Sequence, residues 1–253
     1  MRRANEDGTA NYSVGARINP ERRRVKLNRA GMNRWIELET AHGPVGAWRC
    51  EPTGPSRGAV LVIQEIFGLN PHIRSVTERF AAAGFVALAP ALFDPVERGI
   101  ELAYDQPAFE RGRALVKALG TERAINVLGN ATELLQREGL RVGAVGFCWG
   151  GSMAFLCNTR LGLPAVSYYG ARSVPFLDES ARAPMMFHFG GRDAGITEAD
   201  IERHRSRQPQ ARIHVYPAAG HAFNRDVDIH SFEPESASLA WRRSIDFLTE
   251  SLR

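Results

Sequence analysis

The sequence has little cysteine and no long hydrophobic run. Its 253 residues include only three cysteines, Cys50, Cys148 and Cys157. An odd number at these spacings provides neither a disulfide framework nor a pattern of metal ligands, and it favours a reducing compartment. No apolar stretch is long enough to span a bilayer, and no signal-peptide core stands near the start. We therefore expect a cytoplasmic protein without a membrane segment.

The net positive charge of the chain is confined to its first residues. The formal net charge is +4, but residues 1–31 alone hold eight arginines and lysines against three acidic residues. This segment is polar and lacks apolar periodicity, so we expect a disordered basic extension. It has no interleaved aromatic residues, and we expect no nucleic-acid partner. Residues 32–253 are expected to form a single domain, for which a hydrophobic content of 44% is ample.

Apolar runs alternate with amphipathic segments along the rest of the chain. Residues Trp35–Thr40 and Val45–Cys50 predict an antiparallel hairpin, and the unbroken apolar run Ala59–Ile63 predicts a strand buried on both faces. Further strands are predicted over 85–90, 142–145, 165–170, 185–189 and 212–216, and helices over 72–83, 107–119, 122–136, 197–207 and 236–252. This alternation predicts an α/β fold with one doubly wound, mostly parallel sheet.

The segment Gly146-Phe147-Cys148-Trp149-Gly150-Gly151 follows a predicted strand and precedes a predicted helix. Glycines two positions before and two and three positions after a central cysteine indicate a nucleophile elbow, a turn so sharp that only small residues fit at these positions. The following helix N-terminus favours a thiolate and offers N–H groups to an oxyanion. The alternative is a glycine-rich turn with a packed, inert cysteine. The glycine spacing does not match a dinucleotide-binding motif.

Two further reactive side chains follow later predicted strands. Asp193 stands in Gly190-Gly191-Arg192-Asp193, and His221 stands in Gly220-His221-Ala222-Phe223. Nucleophile, acid and histidine in this order, each at a strand end, indicate a hydrolase triad. Separately, Asp193 could be an ordinary turn residue and His221 could cap a turn. The remaining histidines are expected to be surface or core residues without ligand spacing: His42, His72, His188, His204, His214 and His230.

These motifs, together with Gln64-Glu65-Ile66-Phe67-Gly68, resemble the dienelactone hydrolase family (carboxymethylenebutenolidases) over roughly residues 35–250. The resemblance implies an α/β-hydrolase fold. It also implies that Glu65 lies beside a cysteine that rests as a neutral thiol, and takes the thiol proton when substrate binds. Without the resemblance, Glu65 would be a solvated loop carboxylate. The oxyanion hole would be the backbone N–H groups of Ile66 and Trp149.

The resemblance also implies residues that bind substrate. Arg225 matches a family arginine that binds the substrate carboxylate, a role suited to the paired donors of guanidinium; it could otherwise be one of many surface arginines. A second arginine is implied on the predicted helix after Pro107, where Arg111 and Arg113 are available. The family tyrosine near it has no counterpart at the expected spacing, and Tyr104 stands earlier.

The sequence therefore predicts a cofactor-free hydrolase that acts on a small-molecule lactone or carboxylate-bearing ester. Cys148 would attack the carbonyl and form an acyl-enzyme. Two alternatives remain open, a hydrolase of other small esters and a non-catalytic α/β binding protein. We expect no metal and no membrane partner, and either a monomer or a homodimer.

Overall fold

The computed structural model describes residues 33–253. The predicted disordered extension over residues 1–31 lies outside this range. Within it, no helix is both long and apolar enough to cross a membrane.

A single sheet of eight strands runs through the centre of the described chain. Its spatial order is β1-β2-β4-β3-β5-β6-β7-β8. The strands are β1 (Asn33–Leu38), β2 (Val45–Cys50), β3 (Ala59–Ile63), β4 (Val86–Pro90), β5 (Val142–Phe147), β6 (Ala165–Tyr168), β7 (Met185–Gly190) and β8 (Arg212–Tyr216). The hairpin β1–β2 joins the sheet antiparallel to β4, and all later pairings are parallel. The α/β-hydrolase fold with an N-terminal antiparallel hairpin is confirmed.

Helices cover the strands, and four of the six begin at a polar side chain that caps them. They are α1 (Pro71–Ala82), α2 (Gln106–Leu119), α3 (Thr121–Arg137), α4 (Trp149–Leu161), α5 (Glu198–Arg207) and α6 (Pro234–Ser251). Asn70 caps α1 and Asp105 caps α2, each through its side-chain oxygen. The capping box expected at α5 is present, since Thr197 and Asp200 bond each other's backbone N–H groups.

The first strand is shifted by two residues from the prediction Trp35–Thr40. The Thr40 hydroxyl donates to the Gly43 carbonyl oxygen over 2.7 Å, and the Gly43 N–H donates to the Thr40 carbonyl oxygen over 3.1 Å. These two bonds draw Thr40 into the turn. The predicted strand 165–170 likewise ends early, because Tyr169 has a φ of 42°. A residue in this left-handed region cannot continue a strand.

A polar network lies inside the core between β6, β7, β8 and α6. His188 is fully buried, with Nδ1 2.9 Å from the Tyr216 hydroxyl and Nε2 3.0 Å from the Ser244 hydroxyl. The Tyr168 hydroxyl lies 2.7 Å from the same Ser244 oxygen. Burial, with smaller contributions from neighbouring basic side chains, holds the pKa of His188 well below its usual range. His188 is therefore a neutral core residue that connects three strands to a helix.

Candidate functional site

The parallel strands end at one edge of the sheet, and this edge carries the candidate residues. Because β3 and β6 flank β5, the loops after these strands lie side by side. Glu65 follows β3, Cys148 follows β5, Asp193 follows β7 and His221 follows β8. In open α/β sheets, ligands bind at this edge.

Cys148 stands in the strained backbone that a nucleophile elbow requires. Its φ and ψ are 54° and −120°, and it directly precedes α4. A Cβ on Gly146 would lie 1.8 Å from the Gly150 carbonyl oxygen, and a Cβ on Gly150 would lie 2.3 Å from the Gln64 carbonyl oxygen. Larger residues would therefore separate the elbow from the end of β3. The thiol is half-buried, whereas Cys50 and Cys157 are buried.

His221 and Asp193 are in direct contact. The His221 Nδ1 atom lies 2.7 Å from Asp193 Oδ2, and the other oxygen, Oδ1, accepts the Gly195 N–H over 2.8 Å. The Asp193 side chain is only 1% exposed, whereas that of His221 is 37% exposed. A carboxylate fixed in this way orients the ring and leaves Nε2 for other chemistry.

The electrostatic surroundings of His221 favour its cationic form. Burial alone would lower its pKa, but hydrogen bonds to Asp193 and Cys148 and Coulomb interactions with both side chains raise the pKa to about 10. An imidazolium beside Cys148 is a counter-ion for a thiolate, the nucleophilic form of cysteine.

Tyr169 is a site residue that the sequence reasoning missed. Its ring centroid lies 5.1 Å from that of His221, and its backbone is held at a positive φ. The hydroxyl is fully buried and has no hydrogen-bond partner among residues 33–253. Its position directly after β6, next to the elbow strand, was the available signal.

Glu65 and Arg225 form a buried ion pair. The Arg225 Nη2 atom donates to Glu65 Oε1 over 2.9 Å, and Nε donates to Oε2 over 3.2 Å. The Glu65 side chain is fully buried and that of Arg225 is 8% exposed. Burial disfavours the cation, but Glu65 outweighs it and raises the pKa of Arg225 further above its usual range. Glu65 is thus a buried, paired carboxylate and not a solvated one.

Two more side chains contact Arg225. Asp228 Oδ2 accepts from Nη1 over 3.1 Å. The guanidinium carbon lies 4.1 Å from the centroid of the Tyr104 ring, and the Tyr104 hydroxyl accepts from Asn70 over 2.9 Å. Tyr104, which stands earlier in the chain than the family tyrosine would, thus lies against Arg225. Asp228 belongs to none of the sequence motifs, so its contact with Arg225 could not be predicted from them.

The structure does not bring Arg111 or Arg113 to this ion pair. Both are exposed; Arg111 pairs with Glu97, and Arg113 lies over the Phe109 ring. Gly112 between them packs on the Ile66 backbone, where an added Cβ would lie 2.3 Å from the carbonyl oxygen. Helix α2 therefore contacts the loop after β3 through its glycine, and the substrate-binding roles of both arginines stay predictions.

The two expected oxyanion donors belong to segments that pack on each other. Ile66 follows Glu65, and Trp149 is the first residue of α4. Both are buried, and the close approach of Gly150 to Gln64 brings their segments together. The backbone N–H of Trp149 stands at a helix N-terminus, where the dipole favours negative charge. No three metal-ligating side chains cluster anywhere in residues 33–253.

Comparisons with known proteins agree with this architecture. The family profile "Dienelactone hydrolase family" matches residues 45–252. Carboxymethylenebutenolidase 1 from Cupriavidus pinatubonensis is 33% identical over 217 residues, which cover 81% of this chain and 92% of that protein. A crystal structure named for dienelactone hydrolase, from Klebsiella pneumoniae subsp. pneumoniae MGH 78578, has a TM-score of 0.75 at 27% identity and covers 87% of this chain and 98% of its own.

A second crystal structure shows the fold alone. It is a dienelactone hydrolase-like promiscuous phosphotriesterase from metagenomic libraries, with a TM-score of 0.69 at 18% identity, covering 88% of this chain and all of that one. The resemblance drawn from the sequence motifs is confirmed by the profile and by the curated relative. The chain therefore belongs to the dienelactone hydrolase family and is a carboxylic-ester hydrolase.

Proposed function

We propose that this protein hydrolyses a lactone or small ester through a covalent acyl-enzyme on Cys148. The observation that carries the proposal is the 2.7 Å contact between His221 and Asp193 at the sheet edge that also carries the elbow cysteine. A nucleophile, a base and a carboxylate that orients the base form the arrangement used for acyl transfer on several unrelated folds.

The proposed reaction has two halves. The Cys148 thiolate attacks the ester carbonyl, and the backbone N–H groups of Ile66 and Trp149 stabilise the oxyanion. The C–O bond breaks, and the leaving alkoxide or enolate takes the proton from His221, which leaves a thioester. Water then gives a proton to His221 and attacks the thioester. The acid departs, His221 is protonated again, and the restored Cys148 thiolate can take back the proton that Glu65 accepted before the attack.

We also propose that Glu65 controls the state of the thiol. In the described structure both carboxylate oxygens accept from Arg225, so this carboxylate is occupied. It can take a proton from Cys148 only after it leaves the guanidinium. Such control would limit the exposure of a free thiolate to oxidants. A reactive thiol also suits the reducing, cytoplasmic location expected from the cysteine content.

The test is replacement of Cys148 by alanine and by serine. With p-nitrophenyl esters as substrates, we expect kcat/KM to fall by about 10³-fold or more while the thermal unfolding midpoint stays close to wild type. Cys50→Ala is the matched control, because burial raises the pKa of that thiol to about 12 and leaves it inert.

A second measurement identifies the intermediate. Mass spectrometry of the quenched reaction should find the acyl group on the Cys148 peptide, and iodoacetamide should label this cysteine and spare the buried ones. Full activity of Cys148→Ala would contradict the proposal. A folded wild-type protein that turns over no ester and forms no adduct would favour a non-catalytic binding protein.

A further inference from the structure

The guanidinium of Arg225 already contacts two carboxylates. Its Nε and Nη2 atoms donate to Glu65 and its Nη1 atom donates to Asp228, at distances of 2.9–3.2 Å. One face of the group is covered by the Tyr104 ring, and Arg225 as a whole is 7% exposed. Carboxylates thus occupy three of the five N–H donors of this guanidinium.

Asp228 is itself fixed as a carboxylate. Its Oδ2 atom accepts from the Ser231 hydroxyl over 2.8 Å, and Oδ1 accepts from the His230 N–H over 3.1 Å. Burial would raise its pKa, but these hydrogen bonds and Arg225 together hold the pKa below its usual range. Asp228 is therefore charged at neutral pH and is held by its own loop, independently of Glu65.

The remaining charges near this arginine do not restore a positive site. Asp226 lies 3.2 Å from His72 Nδ1, and burial lowers the pKa of that histidine, so that it is neutral at neutral pH. Arg79 reaches the same Asp226 over 3.5 Å. With Glu65 and Asp228 both charged, Arg225 carries one positive charge against two negative ones. A substrate carboxylate would have to displace one of them and would be repelled by the other.

We propose, on the basis of the proposed function, that Asp228 takes the place on Arg225 that a substrate carboxylate would occupy, so that this site selects lactones and esters without a carboxylate there. Asp228 also keeps Arg225 paired when Glu65 leaves it. The departure of Glu65 then requires no anionic substrate. The carboxylate-binding role implied for Arg225 is the competing outcome.

The first test compares two substrates that differ only in charge. One is the p-nitrophenyl monoester of adipic acid, and the other has a carboxamide in place of the free carboxylate. We expect wild type to favour the carboxamide in kcat/KM by about tenfold or more, and Asp228→Asn to reduce this preference at least about threefold, mainly through KM of the acid. A ratio taken within each variant is independent of any general loss of activity.

The second test needs no turnover, so it stands even if the proposed function fails. Iodoacetate and iodoacetamide have nearly the same shape, and each forms an S–C bond to Cys148 with loss of iodide. We expect the ratio of their rates, iodoacetate over iodoacetamide, to rise about threefold or more in Asp228→Asn, because one repelling charge is removed. The rates are read by mass spectrometry of the Cys148 peptide.

Asp226→Asn is the matched control, since it removes the same charge two residues earlier from a carboxylate that contacts His72 and Arg79. We expect it to change both ratios less than Asp228→Asn does. The proposal is overturned if wild type prefers the acid, if Asp228→Asn changes the alkylation ratio by less than that amount, or if Asp226→Asn has an equal effect. If neither ester is hydrolysed and no acyl adduct forms, the proposed function fails, and the alkylation ratios alone decide the role of Asp228.

Discussion

Two histidines on the same half of the sheet, one half-buried and one fully buried, have opposite electrostatic properties. His221 faces the carboxylate of Asp193 and the thiol of Cys148, and its pKa is raised to about 10. His188 lies inside the core between two hydroxyl groups, and its pKa is lowered. Burial lowers the pKa of both. Because burial acts in the same direction on both, the raised pKa of His221 is due to its partners Asp193 and Cys148, which His188 lacks.

Removing the charged partner of His221 tests this comparison most strongly. Asp193→Asn should reduce kcat/KM by about 10³–10⁴-fold, because the amide neither stabilises an imidazolium nor selects the required tautomer. The measurement is the hydrolysis of p-nitrophenyl esters, with circular dichroism to show that the fold is retained. An activity close to wild type would mean that Asp193 is an ordinary turn residue.

Removing a neutral partner of His188 should instead affect stability. Ser244→Ala leaves both the His188 Nε2 atom and the Tyr168 hydroxyl without their shared partner, at a cost of about 1–3 kcal/mol in the free energy of unfolding. Urea denaturation measures this, and kcat/KM should stay close to wild type. Ser238→Ala on the exposed side of α6 is the control and should have little effect. A large loss of activity in Ser244→Ala would show that the two histidines are not separable.

The pH dependence of stability should separate the two histidines as well. The pKa of His188 is lower in the folded protein than in the unfolded chain. As the pH drops below about 6.5, the unfolded chain therefore binds a proton at this histidine and the folded protein does not, so stability falls. At pH 5.5 the free energy of unfolding should be lower by about 1 kcal/mol for each histidine of this kind. His204 is another such histidine, because burial lowers its pKa as well.

His221 contributes in the opposite sense. Its raised pKa stabilises the fold fully below about 6.5, the pKa of the unfolded state, and the contribution disappears as the pH rises through about 10. Urea denaturation curves recorded from pH 5 to pH 10 measure the loss of stability on the acid side, due to His188, and on the alkaline side, due to His221. We call these the acid limb and the alkaline limb. Asp193→Asn should weaken the alkaline limb and leave the acid limb unchanged, and any other pattern would contradict the assignment.

The smallest expected effect distinguishes two neighbouring tyrosines. The Tyr169 hydroxyl has no partner among the described residues, so Tyr169→Phe should leave the free energy of unfolding unchanged or raise it by up to about 1 kcal/mol. Tyr168→Phe removes the bond to Ser244 and should lower it by about 1 kcal/mol. Thermal denaturation of the pair gives the comparison. Equal losses would mean that the Tyr169 hydroxyl is bonded in solution.

The contrast between the two histidines also marks what the sequence could reveal. The glycine spacing around Cys148 and the strand-end positions of Asp193 and His221 are local patterns, and they predicted which residues meet at the sheet edge. The network around His188 joins residues 168, 188, 216 and 244. Each member is a single polar side chain with no recognisable motif around it, so no spacing identifies them. The same holds for Asp228, whose contact with Arg225 depends on the path of one loop.

Element boundaries were predictable where side chains cap or punctuate them. Strand β8 and the end of α5 coincide with the predictions. The first strand was misplaced because Thr40, a good strand residue, bonds to Gly43 in the turn. The strand before Tyr169 was extended too far because tyrosine is also a good strand residue, and no local motif indicates its positive φ.

The buried pair of Glu65 and Arg225 has a consequence for folding kinetics. The two residues are 160 positions apart in the chain, and they meet only at an edge to which β3, β5 and the loops beyond β8 contribute. Contacts between residues so far apart in the chain form slowly, because a long loop must close first. The parallel strand pairs of this edge are also non-local, so they do not form ahead of that closure. During refolding, helical signal should therefore return well before the cysteine regains its reactivity.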